Sequence, residues 1–229
     1  PDEVAAIIAE PIQGEGGFIV PPKEFFQGLR KICDQNRILL IDDEVQSGMG
    51  RTGKMFAIEH FDTAPDIITM AKSLGGGLPL AAVISKADVV DSVHAGGLGG
   101  TFGGNPLSCV AALKSLEIVP RLLGNVQKLG AVLMNRLREM YEKYEIIGDV
   151  RGIGLMTGVE LVKNRKTKEP AKEERDKVMS ECHRNGLIVI GAGGYHNVIR
   201  FLPPLNISEE LLNKGLDIFE KAIKTASTK

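Results

Sequence analysis

Short, continuous apolar runs recur along the first third of the chain, each cut off by polar or charged residues. Val4 to Ala9 (VAAIIA) stops at Glu10-Pro11, Ile38 to Ile41 (ILLI) at Asp42-Asp43-Glu44, and Asp66 to Ala71 (DIITMA) at Lys72. Runs of this length, rich in Ile and Val, predict strands buried on both faces. Between the first two, Pro22 to Gln35 carries Phe25, Phe26, Leu29, Ile32 and Cys33 at helical spacing, with Pro22 as a first-turn residue. Strand, helix, strand is the βαβ unit of a parallel sheet. Ala81 to Ile84 (AAVI) predicts a further strand.

Residues 105 to 145 read as long helices, with apolar positions at Leu107, Val110, Leu113 and Leu116, then at Leu129, Leu133, Leu137 and Met140. After Gly148 the texture changes. Gly154 to Leu161 alternates weakly, Lys163 to Lys177 is a charged stretch leading into a helix, and Leu187 to Ile190 and Val198 to Leu202 are strand-like. Ser208 to Ile223 predicts a helix with Ser208 as its N-cap and Glu209 and Glu210 in the first turn. The expected architecture is therefore α/β: a large, mainly parallel-sheet domain with interdomain helices over 1–140, then a smaller α+β domain over 141–229.

In open sheets of this kind ligands sit beyond the carboxyl ends of the strands. Those ends carry Glu10, Asp43 and Lys72, and the turns after them carry Gln13, Glu15 and Gln46. Lys72 leaves an apolar run and enters Ser73-Leu74-Gly75-Gly76-Gly77, so its amine is expected to be desolvated enough to attack an aldehyde; the alternative is an ordinary surface lysine. Asp43 closes a strand that is otherwise apolar, and a carboxylate there needs a cationic or donor partner: a protonated ring nitrogen, a helix N-terminus or Arg51. Strand alternation turns Asp42 to the opposite face. Gly96 to Asn105 (GGLGGTFGGN) offers backbone donors and the Thr101 hydroxyl to a phosphate, although such runs are also plain flexible loops. Arg200 lies within VIRFLPPL, where a cation answers either a substrate carboxylate or a structural acid such as Glu15.

Composition narrows the classes. The 229 residues are 43% hydrophobic and 25% charged with a net charge of -1, which gives no electrostatic pull toward nucleic acid or anionic lipid. No apolar run is long enough for a membrane span, and no signal peptide opens the chain. Cys33, Cys109 and Cys182 are scattered and odd in number, as reduced cytoplasmic thiols would be, and His60, His94, His183 and His196 lack ligand spacing, so no metal site is expected. There are no internal repeats. The chain opens on Pro1 and enters a strand-like run at once, which leads us to expect a piece of a longer protein.

Six stretches together resemble the class III aminotransferases, the group that includes 4-aminobutyrate, ornithine and acetylornithine aminotransferases. They are AEPIQGEGG (9–17), LIDDEVQSGMGRTG (40–53), AKSLGGGLPLAAVI (71–84), GGTFGGNPLSCVAAL (99–113), RGIGLMTGVEL (151–161) and IRFLPPL (199–205), in the family's order. The resemblance implies the pyridoxal-phosphate transferase fold of type I and corresponds to the C-terminal part of a family chain. It implies that Lys72 carries pyridoxal 5'-phosphate as an imine and then moves a proton, that Asp43 pairs with the pyridinium nitrogen, and that Gln46 lies near the phenolic oxygen. Thr101 would bind the phosphate held by the partner subunit, so a homodimer with shared sites is expected. Arg200 would hold the carboxylate of an amino acid or 2-oxoglutarate, and Glu15 would neutralise that arginine while an ω-amino substrate is bound. The family's first phosphate-binding loop and its ring-stacking aromatic lie upstream of this sequence. The expected function is transfer of an amino group from an amino acid, an ω-amino acid such as 4-aminobutyrate or ornithine, to 2-oxoglutarate. Two rivals remain: an amino-acid racemase or epimerase of the same family, and a non-catalytic truncated fragment.

Overall fold

A computed structural model describes residues 3–101 and 103–227. The chain divides into two compact units, one of Pro1–Pro11 with Pro21–Leu122, the other of Ile12–Val20 with Leu123–Lys229. The division thus falls at Leu122, ahead of the expected residue 140, and assigns residues 12–20 to the second unit.

In the first unit, strands β1 (Ala6–Ala9), β2 (Leu39–Asp43), β3 (Ile67–Met70) and β4 (Ala82–Ser85) form one sheet in that order. β1, β2 and β3 run parallel and β4 antiparallel to β3. Helix α1 (Lys23–Asn36) makes the crossover from β1 to β2; Pro22 stands as its N-cap, one residue outside the helix. Phe26 and Cys33 face inward, while Phe25 and Ile32, expected on the same apolar face, are half exposed. Cys33 packs with Ile38 and Leu40 against β2, as the helical spacing requires. Asp66 ties the bottom of the sheet together: its carboxylate accepts from the Leu40 amide (2.8 Å), Arg30 (2.6 Å) and Lys86 (2.6 Å). Burial alone would raise that carboxyl, but the Leu40 amide and the two cations hold it at about 2.

The apolar runs predict strands buried on both faces. Instead Ile8 and Val83, which the register sets on one face, are 61% and 67% exposed, and Ile84 on the opposite face of the edge strand β4 is 48% exposed, so these runs are not buried on both faces among the described residues. A four-residue helix α2 (Ala87–Val90) and an exposed glycine-rich loop follow β4.

The expected helices over 105–145 are one, α3 (Pro106–Lys143), with Asn105 Oδ1 accepting from the Leu107 and Ser108 amides (both 3.1 Å) as its N-cap. Pro120 removes one backbone donor without ending the helix. The boundary between the units falls two residues later.

The second unit is built on an antiparallel sheet, β5 (Ile147–Ile153), β6 (Met156–Asn164), β9 (Val198–Phe201) and β8 (Ile190–Ala192) in that order, with β7 (Glu169–Pro170) paired to the C-terminal end of β6. Helices α4 (Lys172–Arg184) and α5 (Glu209–Ser227) and the later part of α3 enclose its core. Val126, Leu129, Leu133, Leu137 and Met140 recur every three or four residues and are buried, as are Leu212, Leu216 and Phe219 of α5. Ser208 Oγ accepts from the Leu211 amide (3.2 Å), the predicted N-cap. No helix among the described residues is long and apolar enough to cross a membrane.

Candidate active site

Three parallel strands end in the same direction, so Glu10, Asp43 and Lys72 emerge at one edge of the first sheet. Asp43 is the last residue of β2, and Lys72 follows β3 by two residues. Adjacent strands stand about 4.8 Å apart. Asp43 Oδ1 accepts from the Val45 amide (3.1 Å) and from Thr69 Oγ1 (3.2 Å) of β3, so the acid is oriented by two donors. Gln46 is half buried in the turn after β2, three residues beyond Asp43.

Lys72 departs from expectation in one respect. Its position predicts a desolvated amine, yet the side chain is exposed. After Ala71 the chain enters a short 3-10 turn, Lys72–Gly75, and the glycine-rich stretch behind the lysine does not cover its side chain. The backbone there is unusual: Lys72 has φ 47°, a left-handed conformation that a non-glycine residue rarely adopts and that recurs at functional sites.

Asp42 and Asp43 are neighbours with opposite surroundings. Asp42 faces the other side of the sheet, as alternation predicts, and is fully buried. Burial, reinforced by the charge of Glu44, pushes its carboxyl up to about 9, so it is protonated at neutral pH. Glu44 is itself raised by burial, against the pull of Ser47 Oγ (2.6 Å) and the Ile58 amide (2.8 Å). Sequence reasoning misses this acid pair; the adjacent Asp-Asp-Glu at a strand end is its only signal.

Thr101 is exposed in the loop before α3. Phe102, inside the glycine-rich stretch considered for phosphate, lies outside the described residues.

In the second unit Arg200 and Glu15 meet. Arg200, on β9, is buried, and its guanidinium forks onto Glu15, Nη1 to Oε1 at 2.7 Å and Nη2 to Oε2 at 3.3 Å. Its Nη1 also reaches the Gly14 carbonyl at 3.4 Å, and its Cζ lies 5.5 Å from the Phe18 ring centre. The two partners differ sharply in exposure: the Arg200 side chain is 6% exposed, the Glu15 side chain 74%. An exposed carboxylate therefore covers a buried guanidinium.

Glu15 sits on a tight hairpin, with Gly17 donating to the Gly14 carbonyl (3.1 Å) and Phe18 to the Gln13 carbonyl (2.8 Å). Arg151, on β5, enters the sequence reading only as the first residue of RGIGLMTGVEL. It donates from Nε to the Gly17 carbonyl (2.8 Å) and from Nη1 to Asp149 (2.8 Å) and Glu160 (2.6 Å). Its signal is the same as that of Arg200, a cation inside a strand-like run. Among the described residues no group of His, Cys, Asp and Glu could hold a metal ion.

A family model described as aminotransferase class-III matches residues 1–223. A leucine/methionine racemase of Thermococcus litoralis is 53% identical over 97% of this chain and 50% of its own length. The 5-aminovalerate aminotransferase DavT of Pseudomonas aeruginosa is 49% identical over 95% of this chain and 52% of its own. An amine transaminase from an uncultivated Pseudomonas species, solved in its pyridoxal-phosphate-bound form, superposes with a TM-score of 0.90 at 36% identity, covering 96% of this chain and 52% of that one. The chain spans about half the length of the relatives it matches.

Proposed function

Because the chain belongs to the class III aminotransferase family, whose members depend on pyridoxal phosphate, we propose that it carries one side of a ping-pong transamination. The donor is an ω-amino acid such as 4-aminobutyrate or ornithine, the acceptor 2-oxoglutarate, and the product glutamate. The active form in this reading is a cytoplasmic homodimer with shared sites. The observation that carries the reading is the exposed Glu15 forked onto the buried Arg200.

The residues of the first sheet suit the cofactor. An acid oriented by Val45 and Thr69 stands on β2 for a ring nitrogen, and an amine follows the adjacent β3 for an aldehyde. Pyridoxal phosphate, when bound, supplies an electron sink that makes a proton on the amine-bearing carbon removable. Lys72 Nζ anchors the cofactor and then moves that proton between carbon atoms. Asp43 keeps the ring nitrogen protonated, Gln46 bonds near the phenolic oxygen, and Thr101 takes the phosphate held by the partner subunit.

Arg200 and Glu15 then sort the substrates. An ω-amino donor has a single carboxylate and presents its amine-bearing end to the cofactor, so Glu15 stays on Arg200 and keeps that charge paired. Glutamate and 2-oxoglutarate bring a second carboxylate, which displaces Glu15 into solvent and takes the guanidinium fork. Arg200 need not move for either substrate.

One rival has an observation behind it, the 53% identity to a leucine/methionine racemase. A racemase would return the proton to the same carbon and need no acceptor. The two are separated by incubating the holoenzyme with one amino acid, then with 2-oxoglutarate added. We expect glutamate to form from an ω-amino donor only when 2-oxoglutarate is present. Decay of optical rotation in a single chiral amino acid, with no acceptor and no keto product, would give the reaction to the racemase reading.

A further inference from the structure

The pairing register of the second sheet sets three residues in one row. Arg151 of β5 lies opposite Gly158 of β6, and Gly158 lies opposite Arg200 of β9. Cross-strand partners point to the same face, so the two arginines flank the glycine, about 10 Å apart across two strand spacings. Gly158 leaves a trough between them, and the Gly14–Phe18 hairpin lies in it. A Cβ added at Gly158 would stand 3.2 Å from the Gly17 carbonyl oxygen and 3.5 Å from Phe18 Cβ, so the hairpin packs closely against the glycine.

Each wall of the trough grips one end of the hairpin. Arg200 takes the Gly14 carbonyl and the Glu15 carboxylate. Arg151 takes the Gly17 carbonyl, and its guanidinium is held in place by Asp149 and Glu160, themselves register partners two residues along on the same face. The Gly193 amide adds a third hold, on the Glu15 carbonyl (3.0 Å). Gly17 at φ 107° accepts this clamp because it lacks a side chain; a Cβ there would meet Arg151 Nη2 at 3.0 Å.

We infer that Arg151 is a positioning residue for substrate selection: it pins the hairpin backbone so that Glu15 can leave Arg200 by side-chain rotation alone. The inference rests on the reading of Glu15 and Arg200 as the substrate sorter. A pinned backbone returns Glu15 to the same place after each dicarboxylate departs, so Arg200 is shielded whenever an ω-amino donor enters. With the pin removed, the hairpin samples other positions, Arg200 is left uncovered more of the time, and glutamate gains at the expense of the ω-amino donor.

The test is Arg151→Lys in the holoenzyme. Lysine keeps the charge facing Asp149 and Glu160 but lacks the planar fork by which Arg151 reaches the Gly17 carbonyl from Nε and the two acids from Nη1. The measured quantity is the ratio of kcat/KM for an ω-amino donor to that for glutamate, in single half-reactions. Losing one partly buried hydrogen bond of this kind should lower the ratio about fivefold. Glu15→Gln should lower it as well, and Arg151→Lys added to Glu15→Gln should change it no further. Amide hydrogen exchange at Gly17 and Phe18 should rise in Arg151→Lys while the Leu161 and Val162 amides stay protected. If Glu15→Gln leaves the ratio unchanged, the sorter reading itself fails and the role of Arg151 falls with it. If Glu15→Gln shifts the ratio but Arg151→Lys does not, or shifts it equally in both backgrounds, the sorter stands and the positioning role is overturned. A lowered thermal midpoint with an unchanged ratio overturns it too, since that is what a merely structural arginine would give.

Discussion

The two sheets carry their polar groups in different places. In the first, the groups of interest stand at strand ends or beyond: Asp43 closes β2, Lys72 lies past β3, and Lys72 and Thr101 are exposed. In the second, they lie inside the strands, as a row of Arg151, Gly158 and Arg200 fixed by backbone pairing. A strand end can aim one residue, but the chain that follows it must be shaped by something else; at Lys72 that is a left-handed turn. A row within a sheet is set by ladder hydrogen bonds and needs only a glycine to open it. In the proposed reading, Lys72 therefore sits beyond the strand ladder, while Arg200 sits within it.

The comparison is broken most severely at its reactive end. Lys72→Ala should cut turnover by about 1000-fold or more in steady-state assays if, as proposed, Lys72 is both the covalent anchor and the proton carrier. Residual turnover within tenfold of the parent would detach Lys72 from the chemistry. At the rigid end, Arg200→Ala should lower kcat/KM for 2-oxoglutarate about 100-fold while the ω-amino donor loses far less. Folding should survive, because Glu15 is left in water and not buried unpaired. Equal losses for both substrates would mean that Arg200 does not sort them.

Two carboxyls in the first unit test its pH response in opposite directions. Asp66 is held at about 2, below its unfolded value, so its contribution is present above about 4 and is lost as pH falls through 2. Asp66→Asn should cost about 2 kcal/mol at neutral pH by urea unfolding, and the gap from the parent should close below pH 3. Asp42 is raised to about 9, so its contribution is complete below about 4 and is lost as pH climbs toward 9. Asp42→Asn should flatten that alkaline decline, changing stability by about 1 kcal/mol or less below pH 4 and leaving the variant increasingly more stable than the parent as pH rises toward 9. An unchanged slope between pH 6 and 9 would remove the buried proton from the account.

Much of this is legible in the chain. The apolar runs mark β1, β2 and β3, and their polar ends point to Asp43 and Lys72. Strand alternation separates Asp42 from Asp43. Arg200 stands out as a cation inside a strand-like run, with Glu15 as its candidate partner, and the two do meet. What is not legible depends on pairing between distant segments. Nothing local in RGIGLMTGVEL says that Arg151 faces Gly158, or that Gly158 faces Arg200; register is set across the sheet, and a shift of one residue would turn each side chain to the other face. The exposure of Lys72 escapes for a related reason: composition marks the strand, while the turn after it sets where the side chain goes. The helices expected over 105–145 run on as one through Pro120, because the buried face of Val126, Leu129 and Leu133 outweighs one missing hydrogen bond.

The proposal depends most on Lys72 as the bearer of the cofactor. Borohydride reduction of the holoenzyme followed by peptide mapping tests this directly: we predict the reduced cofactor's mass on the peptide containing Lys72 and on no other lysine. Label on a different lysine, or a cofactor that washes away unreduced from a fully loaded enzyme, would contradict it.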